Sequence, residues 1–336
     1  MRCLTLADAL KAKGAQCHFV CGEQSENLLA EVESRGHWIK LMAEAYHRQA
    51  GPRDGWHQDA EETSRYAKDI SADWVIVDHY GIDARWEEDL ARCGSQIMVI
   101  DDIANRSHRC RLLLDQNLGR SAVDYSKQVP RDCVTLIGPQ YALLRPEFAA
   151  LRESSLRRRA NGAVRRLLIS MGGADLVNAT EMVLTALASS PLQSDLSITV
   201  VMGTYAPALE KIQCMARRMR QSISVVVNTK NMAELMADSD LAVGAAGTTS
   251  WERCCLGLPA FVAVIADNQL EIASALQKAG AVRLFRSTDD IGLLQTALSE
   301  LIKNKEGIGE MSSAAALITD GRGTARVVNE ILRADA

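Results

Sequence analysis

Short runs of aliphatic and β-branched residues recur along this chain, separated by longer stretches in which apolar side chains return every three or four positions. QCHFVC (16–21), HWIKL (37–41), DWVIVD (73–78), QIMVID (96–101), RLLLD (111–115) and CVTLIG (133–138) form a first series, with helical periodicity between them, as from Asp83 to Cys93. After a charged interval the pattern restarts with RRLLIS (165–170), LSITVVM (196–202), ISVVVN (223–228), DLAVGA (240–245), PAFVAVI (259–265) and AVRLF (281–285). Buried strands alternating with amphipathic helices predict parallel sheets covered on both faces. Two such series predict an α/β protein of two doubly wound, Rossmann-like domains facing across a cleft, with ligands beyond the carboxyl ends of the strands. The expected division is residues 1–145, a linker at 146–163, a second domain at 164–321, and a final helix at 322–336 packing back on the first. Within the interval PEFAALRESSLRRRANGAV (146–164), the run Arg157–Arg158–Arg159 is expected to coat an exposed surface. The chain opens inside a helix, marked by Leu4, Leu6, Ala7 and Leu10 and closed by Gly14, where a doubly wound domain would open with a strand.

Composition narrows the class. At 336 residues the chain suits two domains, and 47% hydrophobic with 24% charged residues excludes a disordered chain. Lys plus Arg number 38 against 42 Asp plus Glu, a net charge of −4 that disfavours a nucleic-acid partner. LPAFVAVIA (258–266) is about half of what a membrane helix needs, and the first residues hold no signal-peptide core, so no membrane partner is expected. Nine cysteines, odd in number and without CxxC spacing, predict free thiols in a reducing cytoplasm.

The densest chemistry lies in DLAVGAAGTTSWERCCLGLPAFVAVIADNQ (240–269). A buried strand runs into Gly244–Ala245–Ala246–Gly247, then into Thr248, Thr249 and Ser250 as a helix begins at Trp251–Glu252–Arg253. Small residues let a ligand approach the backbone, and the N–H groups of a helix start suit a diphosphate. A plain turn with a capping hydroxyl uses the same residue types, and spacing alone weighs the two readings equally. Glu252 suits either sugar hydroxyls or neutralisation of the helix dipole. Asn268 and Gln269 place polar amides after the next strand. ISMGGAD (169–175) repeats the strand-to-glycine turn at Gly172–Gly173. In the first half, VDHYGID (77–83) ends a strand with Asp78, His79 and Tyr80, and VIDDIANRSHRC (99–110) puts Asp101–Asp102 at another strand end. No further ligand spacing accompanies that acidic pair, so no metal is expected.

With both glycine turns in view, the second half resembles the carboxyl-terminal domain of GT-B glycosyltransferases that bind UDP-sugars. MRCLTLADAL (1–10), VDHYGID (77–83), IDDIANR (100–106), GPQYALLRPEF (138–148), ISMGGAD (169–175) and the 244–269 block are similar, in order, to segments of one family. That family is the UDP-2,4-diacetamido-2,4,6-trideoxy-β-L-altropyranose hydrolases of pseudaminic acid biosynthesis, and the similarity covers essentially the whole chain. It implies a cytoplasmic, GT-B-like hydrolase in which water attacks the anomeric carbon of a small-molecule UDP-sugar and UDP leaves with inversion, without cofactor; the oligomeric state is left open, with a monomer favoured. Carried over by motif, Gly247, Thr248, Thr249 and Ser250 would cradle the diphosphate and Glu252 would contact the ribose. Gly172, Gly173 and Asp175 would line the nucleotide side, with Gln269 among the substrate contacts, and Tyr80 and Asn268 would face the sugar as catalytic candidates.

Relatives in that family open with a strand and a Gly-x-Gly-His loop, whose histidine is the general base, leading into Met-Arg-Cys. Here Met1–Arg2–Cys3 comes first. The expectation is a start further upstream, or a paralogue that holds the UDP-sugar without turnover, with His79 the weaker substitute base. A chain lacking that strand is expected to expose sheet edges and to be less stable. A UDP-sugar-dependent GT-B glycosyltransferase is the alternative enzyme and would require an acceptor.

Overall fold

A computed structural model of the protein describes residues 1–22, 26–42, 55–188, 196–265, 269–286 and 291–334. It comprises two compact units, Met1–Leu143 with Gly323–Ala336, and Leu144–Arg322.

The first unit runs α1 (Arg2–Lys11), β1 (His18–Cys21), α2 (Glu26–Ser34), β2 (Trp38–Leu41), α3 (Gly55–Asp69), β3 (Trp74–Val77), α4 (Ala84–Ala91), β4 (Gln96–Ile100), β5 (Leu112–Asp115) and β6 (Val134–Ile137). All its strand pairs are parallel: β1 with β2 in one small sheet, and β3-β4-β5-β6 in another. Period-two alternation gives the larger sheet two buried faces. Met98, Ile100, Leu112 and Leu114 pack with Leu6 and Leu10 of α1 and with Val327, Val328 and Ile331 of the C-terminal helix, Gly323–Ala334. Ile97, Val99 and Leu113 face the other way, onto Trp86 and Leu90 of α4 and onto Tyr125. These runs read as continuous apolar strings because both faces are covered.

The second unit runs α5 (Pro146–Arg159), β7 (Arg166–Ser170), α6 (Ala179–Ala188), β8 (Ser197–Met202), α7 (Leu209–Arg218), β9 (Ser222–Val227), α8 (Met232–Ala237), β10 (Leu241–Ala245), α9 (Thr249–Cys255), β11 (Ala260–Val264), α10 (Leu270–Lys278), β12 (Val282–Arg286), α11 (Ile291–Lys303) and α12 (Lys305–Ile318). Its six parallel strands lie in the order β12-β11-β10-β7-β8-β9. Counted from β7 as first strand this is 3-2-1-4-5-6, the doubly wound order of dinucleotide-binding sheets. Helix α5 packs within this unit, burying Phe148, Ser155 and Arg159. The expected basic coat at 157–159 is thereby corrected: Arg157 is exposed, Arg158 pairs with Asp240 at 2.6 Å, and Arg159 is buried. A helix turns about 100° per residue, so three consecutive residues span some 200° and cannot all share one exposed face.

Candidate functional site

β7 and β10 are neighbours at the centre of the six-stranded sheet, with Ser170 opposite Gly244. From β7 the chain winds outward through β8 and β9, then crosses back to β10 and winds the other way. The carboxyl ends of β7 and β10 are thus the point where strand order reverses, the usual place for a ligand in an open parallel sheet. Both glycine turns open there.

The glycines have separable reasons. Gly172 has φ +94°, a left-handed conformation that favours glycine. Gly244 is needed for space: a Cβ there would stand 2.5 Å from Arg253 Nη1 and 2.8 Å from Ser170 O. Gly173 and Gly247 have neither excuse. Their φ values lie outside the left-handed region, and a Cβ on either would meet no atom within 4 Å. What a side chain would fill at these two positions is open space in front of the turns.

The polar groups divide likewise. Thr248 is exposed, Thr249 partly so, and the Thr248 hydroxyl does not cap α9. Among the described residues no acceptor takes the N–H groups of Gly247, Thr248 or Thr249. Ser250 is buried, and its Oγ accepts from Arg253 Nη2 at 2.9 Å, so of the four residues expected to cradle a diphosphate, 247–250, Ser250 turns its hydroxyl inward and braces the turn from behind. Asp175, buried at φ +42°, accepts from the N–H groups of Ala179 (2.9 Å) and Thr180 (3.0 Å) and so caps α6. It shapes the 171–178 turn and offers no free carboxylate. The Gly203 N–H, which the sequence did not single out, donates to Gly173 O at 3.0 Å and holds the same turn. Glu252 is partly buried, and burial pushes its carboxyl up to about 7 against the pull of Arg145 and Arg253. Gln269 Oε1 accepts from the Ile265 N–H at 3.2 Å. Asn268 lies outside the described residues.

In the first unit, the carboxyl ends of β3 and β4 hold a charged cluster. Arg2 donates to Asp78 through Nη2 (2.6 Å) and Nε (2.9 Å), and to Asp102 through Nη1 (2.9 Å). Against the burial that would raise it, Arg2 draws the Asp78 carboxyl below its ordinary range. The exposed Tyr80 donates its hydroxyl to Asp102 at 3.0 Å, and burial with the Asp102 charge raises its pKa. His79 is exposed, and its Nδ1 accepts from the Gly81 N–H at 3.1 Å, which leaves Nε2 as the protonated nitrogen of the neutral ring. Among the described residues no carboxylate orients that ring.

The acidic pair after β4 is split. Asp102 belongs to the surface cluster, while Asp101 is fully buried, pairing with Arg106 at 2.8 Å and accepting from the Ala104 N–H and the Tyr125 hydroxyl. Tyr125 Oη also lies 2.9 Å from Asp115 Oδ2. One hydroxyl carries one proton, so it can donate to only one carboxylate; the second contact is favourable when Asp115 is itself protonated. Burial raises the Asp115 carboxyl to about 6, although the Asn117 N–H and Tyr125 oppose this. A raised acid stabilises the fold fully below its unfolded pKa and loses that contribution as pH rises through about 6. Asp115→Asn mimics the protonated form. Relative to the parent chain it should gain about 1–3 kcal/mol on going from pH 4.5 to pH 7.5, read by denaturant unfolding at both. No such gain would place the shared proton elsewhere.

Two parallel-sheet α/β units, the second with doubly wound order, make this a GT-B-like protein. Over 99% of the chain and 95% of the other, it superposes on a MurG structure from Acinetobacter baumannii with TM-score 0.74 at 17% identity. It also superposes on a UDP-GlcNAc 2-epimerase from Neisseria meningitidis bound to UDP-GlcNAc, with TM-score 0.64 at 14% identity over 99% of this chain and 98% of that one. More particularly, residues 167–327 match the glycosyltransferase family 28 C-terminal domain. Among curated relatives, an uncharacterized protein of Methanocaldococcus jannaschii is 30% identical over 274 residues, 80% of this chain and 53% of its own length. The UDP-2,4-diacetamido-2,4,6-trideoxy-beta-L-altropyranose hydrolase of Campylobacter jejuni is 27% identical over 214 residues, 63% of this chain and 74% of that one. The spore coat polysaccharide biosynthesis protein SpsG of Bacillus subtilis is 29% identical over 52% of this chain and 47% of its own. The chain thus spans about half the length of two of these three relatives. Among the described residues no helix is long and apolar enough to cross a membrane.

Proposed function

We propose that the chain is a nucleotide-sugar hydrolase that releases UDP from UDP-2,4-diacetamido-2,4,6-trideoxy-β-L-altropyranose, in pseudaminic acid biosynthesis. The observation that carries the reading is the pair of glycines, Gly173 and Gly247, that face open space at the switch point without any structural need to be glycine. The similarity to the Campylobacter jejuni hydrolase supplies the sugar. In this reading the N–H groups of 247–249 take the diphosphate, Glu252 accepts from the ribose hydroxyls, and Tyr80 serves the sugar side together with Asn268. Water oxygen bonds to the anomeric carbon as the C–O bond to UDP breaks, the bonding pair leaving with the diphosphate and the water proton passing to a base. Donors already aimed at the diphosphate stabilise the departing charge without reorganising. His79 is the candidate base in this chain, through Nδ1, the ring nitrogen that carries no proton and that accepts from the Gly81 N–H.

The test is UDP release from that substrate with no acceptor present, with the anomer of the product followed by NMR. Release that requires an acceptor sugar favours a glycosyltransferase, the reading closest to the match at 167–327. A thermal shift with UDP and no release under either condition leaves a binding protein without turnover.

Glu252 gives the reading a pH signature. Its carboxylate is the form that accepts hydroxyl protons, so ligand binding should lower its pKa from about 7 and affinity should fall as pH drops below that value. Between pH 8 and pH 6, UDP-N-acetylglucosamine, whose phosphates do not titrate there, should weaken roughly tenfold by calorimetry. Glu252→Gln should flatten the profile. A parent chain with no pH dependence removes Glu252 from the ribose.

A further inference from the structure

Helix α9 carries a buried cation that no carboxylate among the described residues pairs with. Arg253 is 3% exposed. Its guanidinium lies behind the 244–250 turn: Nη2 donates to Ala245 O at 2.8 Å and to Ser250 Oγ at 2.9 Å, and Nη1 occupies the space that glycine at 244 leaves free. Nε is buried with no partner among the described residues. The acid that bears on it, the neighbouring Glu252, makes neither hydrogen bond nor ion pair with it.

Two other buried arginines show what a purely structural guanidinium looks like here. Arg152 donates to the carbonyls of Cys255, Thr319 and Ala316. Arg159 donates to those of Gly257, Ala237, Ser239 and Leu256 and to Ser155 Oγ. Arg253 reaches one carbonyl and one hydroxyl. Burying a charge with so few partners is strongly unfavourable, and a neutral amide could serve Ala245 O and Ser250 Oγ as well. A full charge is worth keeping where something charged completes it. Its two acceptors bracket residues 246–249, whose outer side presents unpartnered N–H groups and the open space at Gly247.

We propose that Arg253 is the internal counter-charge for an anion seated on the 246–249 turn, the ligand supplying the negative charge that the protein itself omits. The inference rests on the nucleotide reading above and deepens it: the anion is a diphosphate, and Arg253 acts on it through the turn, as a positioning residue rather than a contact.

The readout is the ratio of UDP to uridine affinity, which isolates the diphosphate from the base and ribose. Arg253→Gln should weaken UDP at least tenfold and leave uridine within about twofold. If that variant fails to fold, Arg253→Met, which removes the charge while keeping apolar packing, enters the same assay. Arg253→Lys turns a permanent cation into a titratable one, because a buried ammonium loses its proton more readily than an exposed one. In that variant the ratio should fall between pH 8 and pH 10 while the parent chain stays level. The neighbouring titratable groups do not confuse this window: Glu252 is ionised by pH 8, and Cys254, pushed to about 12 by burial, remains neutral. A ratio unchanged in Arg253→Gln or Arg253→Met, or level with pH in Arg253→Lys, overturns the proposal and leaves a structural arginine. A parent chain that binds neither UDP nor inorganic pyrophosphate overturns the nucleotide reading and this inference with it.

Discussion

Gly247→Ala should fold as well as the parent chain and lose UDP affinity by about 30-fold or more. The added methyl meets no protein atom within 4 Å, and the backbone there is not left-handed, so nothing in the fold resists it. Replacing glycine at a compatible position even restricts the unfolded chain and stabilises by about 0.4–1 kcal/mol. The same methyl would stand where the diphosphate must approach the N–H groups of 247–249. Pushing a phosphate off charge-assisted hydrogen bonds costs about 2 kcal/mol, which is the 30-fold. Gly244→Ala is the control of opposite character: its methyl collides with Arg253 Nη1 and Ser170 O, so melting temperature should fall first. Thermal unfolding and calorimetry on the two variants separate an empty turn from a packed one. If Gly247→Ala binds UDP like the parent chain, the open space at 247 does not belong to the nucleotide.

How far the sequence reached depends on what each residue's partners are. The strands were legible because both faces of a parallel sheet are buried, so 112–114 and 241–245 are unbroken apolar runs, and 112–115 and 241–245 are strands in the structure. The glycine turns were legible as punctuation, but not the distinction among Gly172, Gly173, Gly244 and Gly247, which depends on dihedral angles and on which atoms stand nearby. Asp175 and Ser250 carried the right residue types for a ligand. Their donors are the N–H groups of α6 and the guanidinium of Arg253, and these come into reach only once the chain has folded. The buried arginines were the hardest to foresee. Ion pairs announce themselves by opposite charges in the sequence, whereas Arg152 and Arg159 are answered by backbone carbonyls, which every residue has.

Arg159 therefore carries the largest expected loss of stability. Its five donors reach Ser155 Oγ and four carbonyls, those of Ala237 and Ser239 at the end of α8 and of Leu256 and Gly257 just beyond α9. The last carbonyls of a helix have no partner within it, and two such ends converge on one planar cation. Burial lowers the Arg159 pKa to about 10, still well above neutral, so the group remains charged while it holds them. Arg159→Met keeps much of the volume but strands the carbonyls of Ala237 and Ser239 at about 1–3 kcal/mol each, while Leu256 O keeps the Ser155 hydroxyl and Gly257 O the Ser312 hydroxyl, so the loss should be at least about 2 kcal/mol. For a unit of this size that lowers the melting temperature by roughly 5 °C or more. Arg159→Lys should recover only part, because one ammonium cannot span acceptors that a planar fork reaches from both edges. Arg157→Ala, which removes an exposed i,i+4 contact with Glu153 at 3.6 Å, should change stability by less than about 0.5 kcal/mol. If Arg159→Met melts with Arg157→Ala, the carbonyls around 237–257 find other donors, and α5 is held by its apolar contacts together with Arg152 and Arg158.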